Sequence, residues 1–440
     1  MIGFREKAQA FLKDYRLDVP SIDHETVLRA FQDEMAAGLS GKESSLAMIP
    51  TYISVERPIP YHKPVIAVDA GGTHVRVATL VFDPEGIPHL DNFSKHEMPG
   101  FGSEMSRHDF YDRFVRYLLP VAALSDTVGF CFSYPAEISP EGDGKLLAWT
   151  KEIKAPEVIG DFIGRNIFDR LRKRGFHHSF ILLNDTVSTL LAGKSAGMAK
   201  PFASFVGLIL GTGTNTAYVE CNRNITKLTN LNPAEKQAIN VESGNFNKCP
   251  RSPLDILLDA ATDNPGQNAF EKMISGAYLG RLSLVVLKRA AEEHLLRHEG
   301  ACAIGDLVDL TTEEVNLFLK NPREAEPFGV KKMMDSDRAL IRTLCSALID
   351  RAAYLTALNI AAAVIQSGTG RDPLRPVCVS AEGSTYHKTK GLRRRTENYL
   401  CGILGSRGVY HEFVQSPDAS LVGAAIAGLT RTGAGRNFPL

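Results

Sequence analysis

Two glycine-rich turns have the residue types of phosphate-binding loops. Gly71 and Gly72 lie between apolar segments at 65–68 and 75–82, and a Gly-Thr-Gly run at 211–213 lies between two further apolar segments. Adjacent glycines adopt backbone angles that other residues avoid, and their consecutive N–H groups can cradle a phosphate. Either turn alone is typical of an ordinary β-hairpin. Two copies of the pattern predict two related halves that grip the phosphate chain of a nucleotide from both sides.

Two carboxylates follow apolar segments, at the strand ends where an open α/β sheet presents its ligands. Asp69 precedes the first turn, and a carboxylate there can hold a hydrated Mg²⁺ beside phosphate oxygens. Asp185 follows Asn184 and the apolar segment 179–183, and it could accept the proton of a hydroxyl that attacks phosphorus. Asn and Asp are also favoured helix N-caps, so a purely structural role for residues 184 and 185 is the alternative.

Further hydrogen-bonding side chains of the kind that a sugar needs are scattered along the chain. Hydroxyl and ammonium groups can donate to sugar oxygens and offset charge on a phosphoryl group. Carboxylates and amides match a ring of hydroxyls, each of which is both donor and acceptor. Taken singly, each is equally typical of a surface. The candidates are Ser133, Thr150, Lys151, Asn215, Glu242 and Glu271.

Alternating strands and helices are predicted to position these groups. β-branched and aromatic segments predict strands, and apolar residues at three- and four-residue steps predict helices. We expect an extended segment at 47–55 and a flexible loop at 138–154. Strands are predicted at 65–68, 75–82, 128–134, 179–183, 377–380 and 409–414, with a second hairpin at 206–220. Helices are predicted at 4–14, 23–38, 110–119, 159–174, 185–196, 253–261, 268–296, 340–367, 389–404 and 420–429.

Composition limits the classes of function. The chain has 440 residues, which predicts two domains, and its 50 basic residues balance 50 acidic ones, so no overall field favours nucleic acid or an anionic membrane. Seven cysteines without a C-x-x-C pair argue against a disulfide framework or a zinc site and favour free thiols in a reducing cytosol. The N-terminus lacks the apolar core of a signal peptide, and no run of about 18 apolar residues predicts a transmembrane helix. A cytoplasmic protein is expected.

The joint order and spacing of these motifs resembles the hexokinase family, within the actin-like ATPase superfamily. The resemblance covers most of the chain. It rests on residues 38–39, 48–52, 69–76, 132–135, 149–151, 184–186, 211–215, 240–246, 264–280, 382–386 and 423–425.

The resemblance implies a role for each candidate. Asp185 would be the catalytic base, and Lys151 would stabilise charge on the transferred group. The sugar would be bound by Ser133, Thr150, Lys151, Asn184, Asp185, Asn215, Glu242 and Glu271. The nucleotide would be bound by Asp69, Gly71, Gly72, Thr73, Arg76, Gly211, Thr212, Gly213, Thr214, Gly383, Ser384 and Gly423. Asp69 would act on Mg²⁺ through its waters.

The resemblance also implies a fold and an activity. The fold is α/β, with two ribonuclease-H-like domains and a cleft between them. The small domain would comprise residues 64–184 and 418–440, and the large domain 1–63 and 185–417. The activity is ATP-dependent phosphorylation of a hexose, with glucose as the expected substrate and its 6-phosphate as the product, at the start of glycolysis. Sugar, ATP and Mg²⁺ are the expected ligands, and a monomer or small homo-oligomer the expected state.

The chain departs from the family pattern at a few positions. His74 replaces an Asn, Ser243 replaces a Trp and Glu382 replaces an Asp. Loss of the Trp ring predicts a wider sugar pocket beside Ser243. The alternatives are a catalytically weak, sugar-sensing regulator on a hexokinase scaffold and an actin-like filament protein. Intact Asp185 and Lys151 argue against the regulator, and Glu242 and Glu271 argue against the filament protein.

Overall fold

Two β-sheets form the framework of the computed structural model, which describes residues 2–149, 152–196, 200–328 and 333–431. The strands are β1 (Ile49–Pro50), β2 (Val65–Ala70), β3 (His74–Phe82), β4 (Pro88–Glu97), β5 (Thr127–Phe132), β6 (Ala136–Ile138), β7 (Gly144–Leu146), β8 (Ser179–Leu183), β9 (Ser204–Leu210), β10 (Thr214–Cys221), β11 (Lys236–Asn240), β12 (Val377–Glu382) and β13 (His411–Val414). The α-helices are α1 (Ile2–Asp14), α2 (His24–Leu39), α3 (Arg107–Leu118), α4 (Ile163–Arg172), α5 (Asp185–Ala196), α6 (Pro253–Ala260), α7 (Glu271–Ile274), α8 (Leu279–Glu292), α9 (His298–Gly305), α10 (Thr312–Lys320), α11 (Asp335–Gln366), α12 (Ser384–Lys388), α13 (Leu392–Gly405) and α14 (Ala419–Thr430).

The two sheets repeat one strand pattern. In the first sheet the order is β4-β3-β2-β5-β8, and the second sheet has the order β1-β11-β10-β9-β12-β13. Strands β4, β3 and β2 are antiparallel, as are β11, β10 and β9, whereas β5 and β8 run parallel to β2, and β12 and β13 run parallel to β9. The predicted hairpins therefore open two equivalent halves, and parallel strands carry their carboxyl ends to one edge of each sheet.

The first hairpin forms because its sequence suits a doubly covered strand. All six residues of β2 are buried, and β-branched residues of this kind pack well on a pleated sheet. In the register of the hairpin, Asp69 is opposite Arg76. The prediction of strands at 65–68 and 75–82 is confirmed.

Helices α5 and α14 cross between the sheets. Helix α5 follows β8 of the first sheet but packs on β9 and β12 of the second, whereas α14 follows β13 of the second sheet and packs on β2 and β5 of the first. Small residues permit the close crossing, since a Cβ on Gly423 would lie 1.9 Å from the Ser188 carbonyl oxygen. The Ser188 hydroxyl donates to the Ser420 carbonyl oxygen across the crossing (2.6 Å).

Three predicted segments differ from the structure. The helix predicted at 268–296 is divided into α7 and α8, because the backbone N–H groups of Gly276 and Ala277 donate to the turn carbonyls of Gly211 and Thr212 instead of continuing a helix. The extended segment at 47–55 forms only the short strand β1. The loop at 138–154 contains strand β7, which pairs with β6.

Among the described residues, one helix is long and apolar enough to cross a membrane. This is α11, and 89% of its most apolar window is buried inside the protein. Its apolar surface is therefore covered by protein, as in a core helix.

Candidate functional site

The predicted site residues lie at the carboxyl ends of the parallel strands in both sheets. Asp69 is the last residue but one of strand β2, Ser133 follows β5 and Asn184 follows β8. In the second sheet, Gly211 follows β9 and Gly383 follows β12. This is the edge at which an α/β sheet binds its ligands.

The first glycine turn is held in shape by its neighbours. The Gly71 N–H donates to the His74 carbonyl oxygen (3.0 Å), and the Tyr134 hydroxyl donates to the Gly71 carbonyl oxygen (2.7 Å). The Thr73 hydroxyl and His74 Nδ1 are 2.7 Å apart. Tyr134 is a supporting residue that the sequence argument missed, although it lies in the segment 132–135 on which the resemblance partly rests.

Asp69 is a buried carboxylate paired with an arginine. The Arg76 guanidinium donates to Asp69 Oδ2 through Nε (2.9 Å) and Nη2 (2.5 Å), and its Nη1 donates to Asp418 Oδ1 (3.2 Å). Burial raises the pKa of Asp69, Arg76 opposes this, and the Asp185 carboxylate raises the pKa further, with an upward net direction. Asp69 and Arg76 thus lie together beside the first turn, as predicted, and Asp418 joins them unpredicted.

Asn184 and Asp185 lie where strand β8 ends and helix α5 begins. The Asn184 side-chain oxygen accepts the Thr186 N–H (2.8 Å), so Asn184 caps α5. Asp185 begins the helix, and its carboxylate raises the pKa of both Asp69 and Glu242. The capping alternative is correct for Asn184. The Asp185 carboxylate lies in the electrostatic reach of carboxylates from both halves of the molecule.

Glu242 is the centre of a partly buried cluster of amide and carboxylate side chains. Glu242 Oε1 accepts from Asn240 Nδ2 (2.7 Å) and Asn215 Nδ2 (3.2 Å), and Asn215 Nδ2 also donates to Asn240 Oδ1 (2.7 Å). The backbone of Glu242 is left-handed, with φ 60°, which is uncommon for a residue other than glycine. Burial, and then the Asp185 charge, raise the pKa of Glu242. Asn240 is a member of this cluster that sequence reasoning did not single out.

Glu271 joins this cluster to the second glycine turn. Its Oε2 accepts the Thr214 N–H (2.9 Å), and a Cβ at Gly213 would lie only 2.5 Å from the same oxygen. A side chain at residue 213 would therefore displace the Glu271 carboxylate from the Thr214 N–H. Burial raises the pKa of Glu271, and the Glu242 carboxylate raises it further. The predicted sugar ligands of the second sheet are brought together.

The second glycine turn is tied to two flanking segments. The Gly211 N–H donates to the Gly213 carbonyl oxygen (2.9 Å), and the Gly211 carbonyl oxygen accepts from Gly276 N (2.9 Å) and the Thr385 hydroxyl (2.8 Å). Gly383 has φ 118°, and a Cβ there would lie 2.3 Å from the Leu210 carbonyl oxygen. Gly383 and Ser384 thus pack beside this turn.

A cavity of about 820 Å³ opens between the second turn, α10 and α12. Its wall includes Thr212 and Ser384, both predicted nucleotide residues. It also includes polar and basic side chains that were not predicted: Thr311, Thr312, Asn316, Lys320, His387, Lys388 and Lys390. These follow no recognisable phosphate-binding pattern in the sequence.

Three predicted residues are not brought to this site by the described structure. Gly423 lies inside α14 against Ser188, so its place in the structure is a helix crossing. Thr150 and Lys151 lie outside the described residues. Trp149 precedes them, and its indole N–H donates to the Ala155 carbonyl oxygen (2.7 Å).

The expectation that Ser243 widens the sugar pocket is wrong. The Ser243 side chain is fully buried, and its hydroxyl lies 3.1 Å from the Thr216 hydroxyl and 3.2 Å from Asn359 Nδ2 of α11. The Glu242 carboxylate is directed to Asn215 and Asn240, whereas the side chain of the next residue is directed into the core. The space beside Ser243 is filled by Asn359.

Ser243→Trp should therefore destabilise the protein without narrowing its substrate range. Inserting an indole beside Asn359 overpacks the core, at a cost of about 1–3 kcal/mol or more in unfolding free energy. Urea denaturation of Ser243→Trp, and of Ser243→Trp with Asn359→Gly, measures this. Recovery of stability in the double variant supports the packing explanation, and an unchanged unfolding free energy in the single variant contradicts it.

Comparison with known proteins gives one consistent result. Two family models, both described as hexokinase, match residues 7–195 and 205–430. Hexokinase-1 of Saccharomyces cerevisiae is 31% identical, over 93% of this chain and 90% of that protein. Hexokinase-3 of Rattus norvegicus is 30% identical over 92% of this chain, which spans 45% of that longer protein.

Solved structures agree with this. A structure of Schistosoma mansoni hexokinase complexed with glucose is similar with a TM-score of 0.77 and 25% identity, and the match covers 98% of this chain and 99% of that one. A second hexokinase crystal structure, at 23% identity, matches with a TM-score of 0.80 over 98% of this chain and all of that one. The predicted α/β fold class, with two ribonuclease-H-like halves, is confirmed.

Proposed function

This chain belongs to the hexokinase family, and from that premise we propose that it transfers the terminal phosphoryl group of ATP to the 6-hydroxyl of glucose. The observation that carries the proposal is that three sets of residues lie at the carboxyl ends of parallel strands in the two sheets. These are two glycine turns, the Asp185 carboxylate between Asp69 and Glu242, and the cluster of Asn215, Asn240, Glu242 and Glu271.

In the proposed reaction the sugar oxygen attacks the terminal phosphorus, and the bond from phosphorus to the bridging oxygen of ADP breaks. Asp185 accepts the proton that leaves the hydroxyl. Asn184, Asn215, Glu242 and Glu271 bind the remaining hydroxyls, with Ser133, Thr150 and Lys151 from the other half. Carboxylates and amides suit this task because each hydroxyl needs both a donor and an acceptor.

Phosphate is proposed to be held by the two turns. Gly71, Gly72 and Thr73 of the first turn and residues 211–214 of the second offer backbone N–H groups and hydroxyls. Arg76 and Lys151 add positive charge, and the cavity beside Ser384 is wide enough for a nucleoside. Gly423 supports this arrangement from the helix crossing.

The chain's residues suit a magnesium ion that is held mainly by the nucleotide. No group of three or more His, Cys, Asp or Glu side chains within the described ranges could hold a metal by itself. Mg²⁺ typically keeps several waters and binds through one or two carboxylates plus substrate phosphates. Asp69 is the carboxylate proposed to contact such waters, and the bound ion would offset charge on the phosphates.

A coupled kinase assay tests the function. The protein is mixed with glucose and MgATP, and then with other hexoses and other phosphoryl donors, while ADP formation is followed. Glucose-dependent ADP formation supports the proposal. Glucose binding by calorimetry without turnover would instead favour a sugar-sensing regulator.

We also propose the predicted domain division, with residues 64–184 and 418–440 in the small domain and 1–63 and 185–417 in the large one. The five-stranded sheet lies in the first set and the six-stranded sheet in the second. The crossing of α5 and α14 joins the two sets, and the proposed sugar ligands come from both.

Glucose should therefore draw the two domains together. Ligands on both sides of a cleft favour the closed state by their differential contacts, and closure excludes water from the reaction. Small-angle X-ray scattering with saturating glucose should give a smaller radius of gyration than without it, with L-glucose as the control. An unchanged radius, with glucose binding confirmed by calorimetry, contradicts closure.

A further inference from the structure

A buried polar triad lies directly behind the proposed sugar ligands. It consists of Thr216 on β10, Ser243 after Glu242, and Asn359 on α11, whose exposures are 0%, 0% and 2%. Asn359 Nδ2 donates to the Thr216 hydroxyl (2.8 Å) and the Ser243 hydroxyl (3.2 Å), and the two hydroxyls are 3.1 Å apart. Buried polar groups that are fully paired fix one arrangement of a core.

The backbone of the same triad orients Asn215. The Asn215 side-chain oxygen accepts the backbone N–H groups of Thr216 (2.6 Å) and Ser243 (3.3 Å). Its amide nitrogen must then be directed to Asn240 and Glu242, to which it donates. The position of the Ser243 and Thr216 backbone thus determines where the Asn215 amide lies.

The triad also borders the strained residue of the site. Glu242 has its left-handed backbone immediately before Ser243. A left-handed conformation is unfavourable for a residue other than glycine, so it persists only where the surroundings hold it. The hydrogen bond from Asn359 of α11 to the Ser243 hydroxyl stabilises this conformation.

We propose that Asn359 is a positioning residue for sugar recognition, which acts through Ser243 and Thr216 on Glu242 and Asn215. This rests on the proposed function, since the sugar is what Glu242 and Asn215 bind. Asn359 touches neither substrate. Its hydrogen bonds fix the proposed sugar ligands relative to the 32-residue helix α11.

Asn359→Leu removes the donor while keeping the branching and the number of heavy atoms of the side chain, and it tests the proposal. We expect the calorimetric Kd and the KM for glucose to rise about tenfold, the change that corresponds to one net hydrogen bond. The KM for ATP should stay within about twofold. Thr356→Val is the matched control, because Thr356 is equally buried on the same helix and its hydroxyl donates only to the Ala352 carbonyl oxygen of that helix (2.7 Å).

A smaller change keeps the test decisive if Asn359→Leu fails to fold. Ser243→Ala removes one acceptor with little change in volume and should raise the glucose Kd several-fold. The double variant should show less than the sum of the two single effects, because both act through one link. If the Kd for glucose in a folded Ser243→Ala or Asn359→Leu protein equals that of Thr356→Val, the proposal is overturned. Failure of the proposed function is distinct, since unmodified protein would then show no glucose-dependent turnover.

Discussion

Asp185→Asn is expected to reduce kcat by about 10²–10⁴-fold, the usual contribution of general-base catalysis. The amide has nearly the shape of the carboxylate but cannot take a proton. The cap of α5 is unaffected, because the Thr186 N–H is bound by Asn184. The glucose Kd should change much less than kcat, since Asn215, Glu242 and Glu271 remain.

Single-turnover kinetics with glucose and MgATP, beside calorimetric glucose binding, separate the two effects. Asp143→Asn is the matched control. Asp143 is a fully buried aspartate of the first half, and its carboxylate accepts the N–H group of Gly144 and those of Gly164 and Arg165 at the start of α4. That variant should lose stability but keep kcat. Near-normal turnover in folded Asp185→Asn would remove Asp185 from the role of base.

The framework and the two glycine turns could be predicted because their signals are local. Adjacent glycines between β-branched segments favour a hairpin whatever the rest of the chain does. Strand β2, which contains Asp69, is buried on both faces, so the residues before Asp69 form a continuous apolar run. Two such patterns in one chain were enough to predict the two halves.

Residues that act through distant partners could not be predicted. Asn240 can form hydrogen bonds with Asn215 and Glu242 only because a hairpin and the turn that follows it bring the three side chains together. Ser243 follows the proposed sugar ligand Glu242 and was expected to border a wider sugar pocket. The left-handed backbone at Glu242 instead turns Ser243 into the core, where Asn359 lies 116 residues away in sequence. Neither a backbone angle nor a helix contact of this separation is visible in a residue pattern.

The break between helices α7 and α8 could not be predicted for a related reason. The stretch 268–296 has helical spacing, but Gly276 and Ala277 donate to the second glycine turn. A tertiary hydrogen bond there overrides helix propensity. The interruption places Glu271 on its own short helix, α7, beside Thr214.

The proposed sugar carboxylates are held at a cost to stability. Burial raises the pKa of Glu242, so the folded protein favours its protonated form more than the unfolded chain does. Proton uptake by Glu242 therefore stabilises the folded protein at pH values below the ordinary glutamate pKa. This stabilisation is lost as the pH rises through the raised pKa of Glu242 in the folded protein. At neutral pH the ionised Glu242 therefore destabilises the sugar-free protein.

Glu242→Gln should consequently make the sugar-free protein more stable and a poorer binder. Gln keeps an oxygen for the Asn240 and Asn215 amides but carries no charge, so the unfolding free energy should exceed that of unmodified protein at pH 8, with a gap that narrows toward pH 5. Glucose affinity should fall about 10–10²-fold, the loss expected when a charged acceptor of sugar hydroxyls is removed. Urea denaturation at several pH values measures the unfolding free energy, and calorimetry measures the glucose affinity. Glu220→Gln is the control. Glu220 is a buried glutamate that accepts from the Tyr218 hydroxyl and Asn224 Nδ2 and from no residue of the cluster, so this variant should lose stability with glucose affinity unchanged. A Glu242→Gln protein that is less stable at pH 8 would show that the carboxylate serves the fold rather than the sugar.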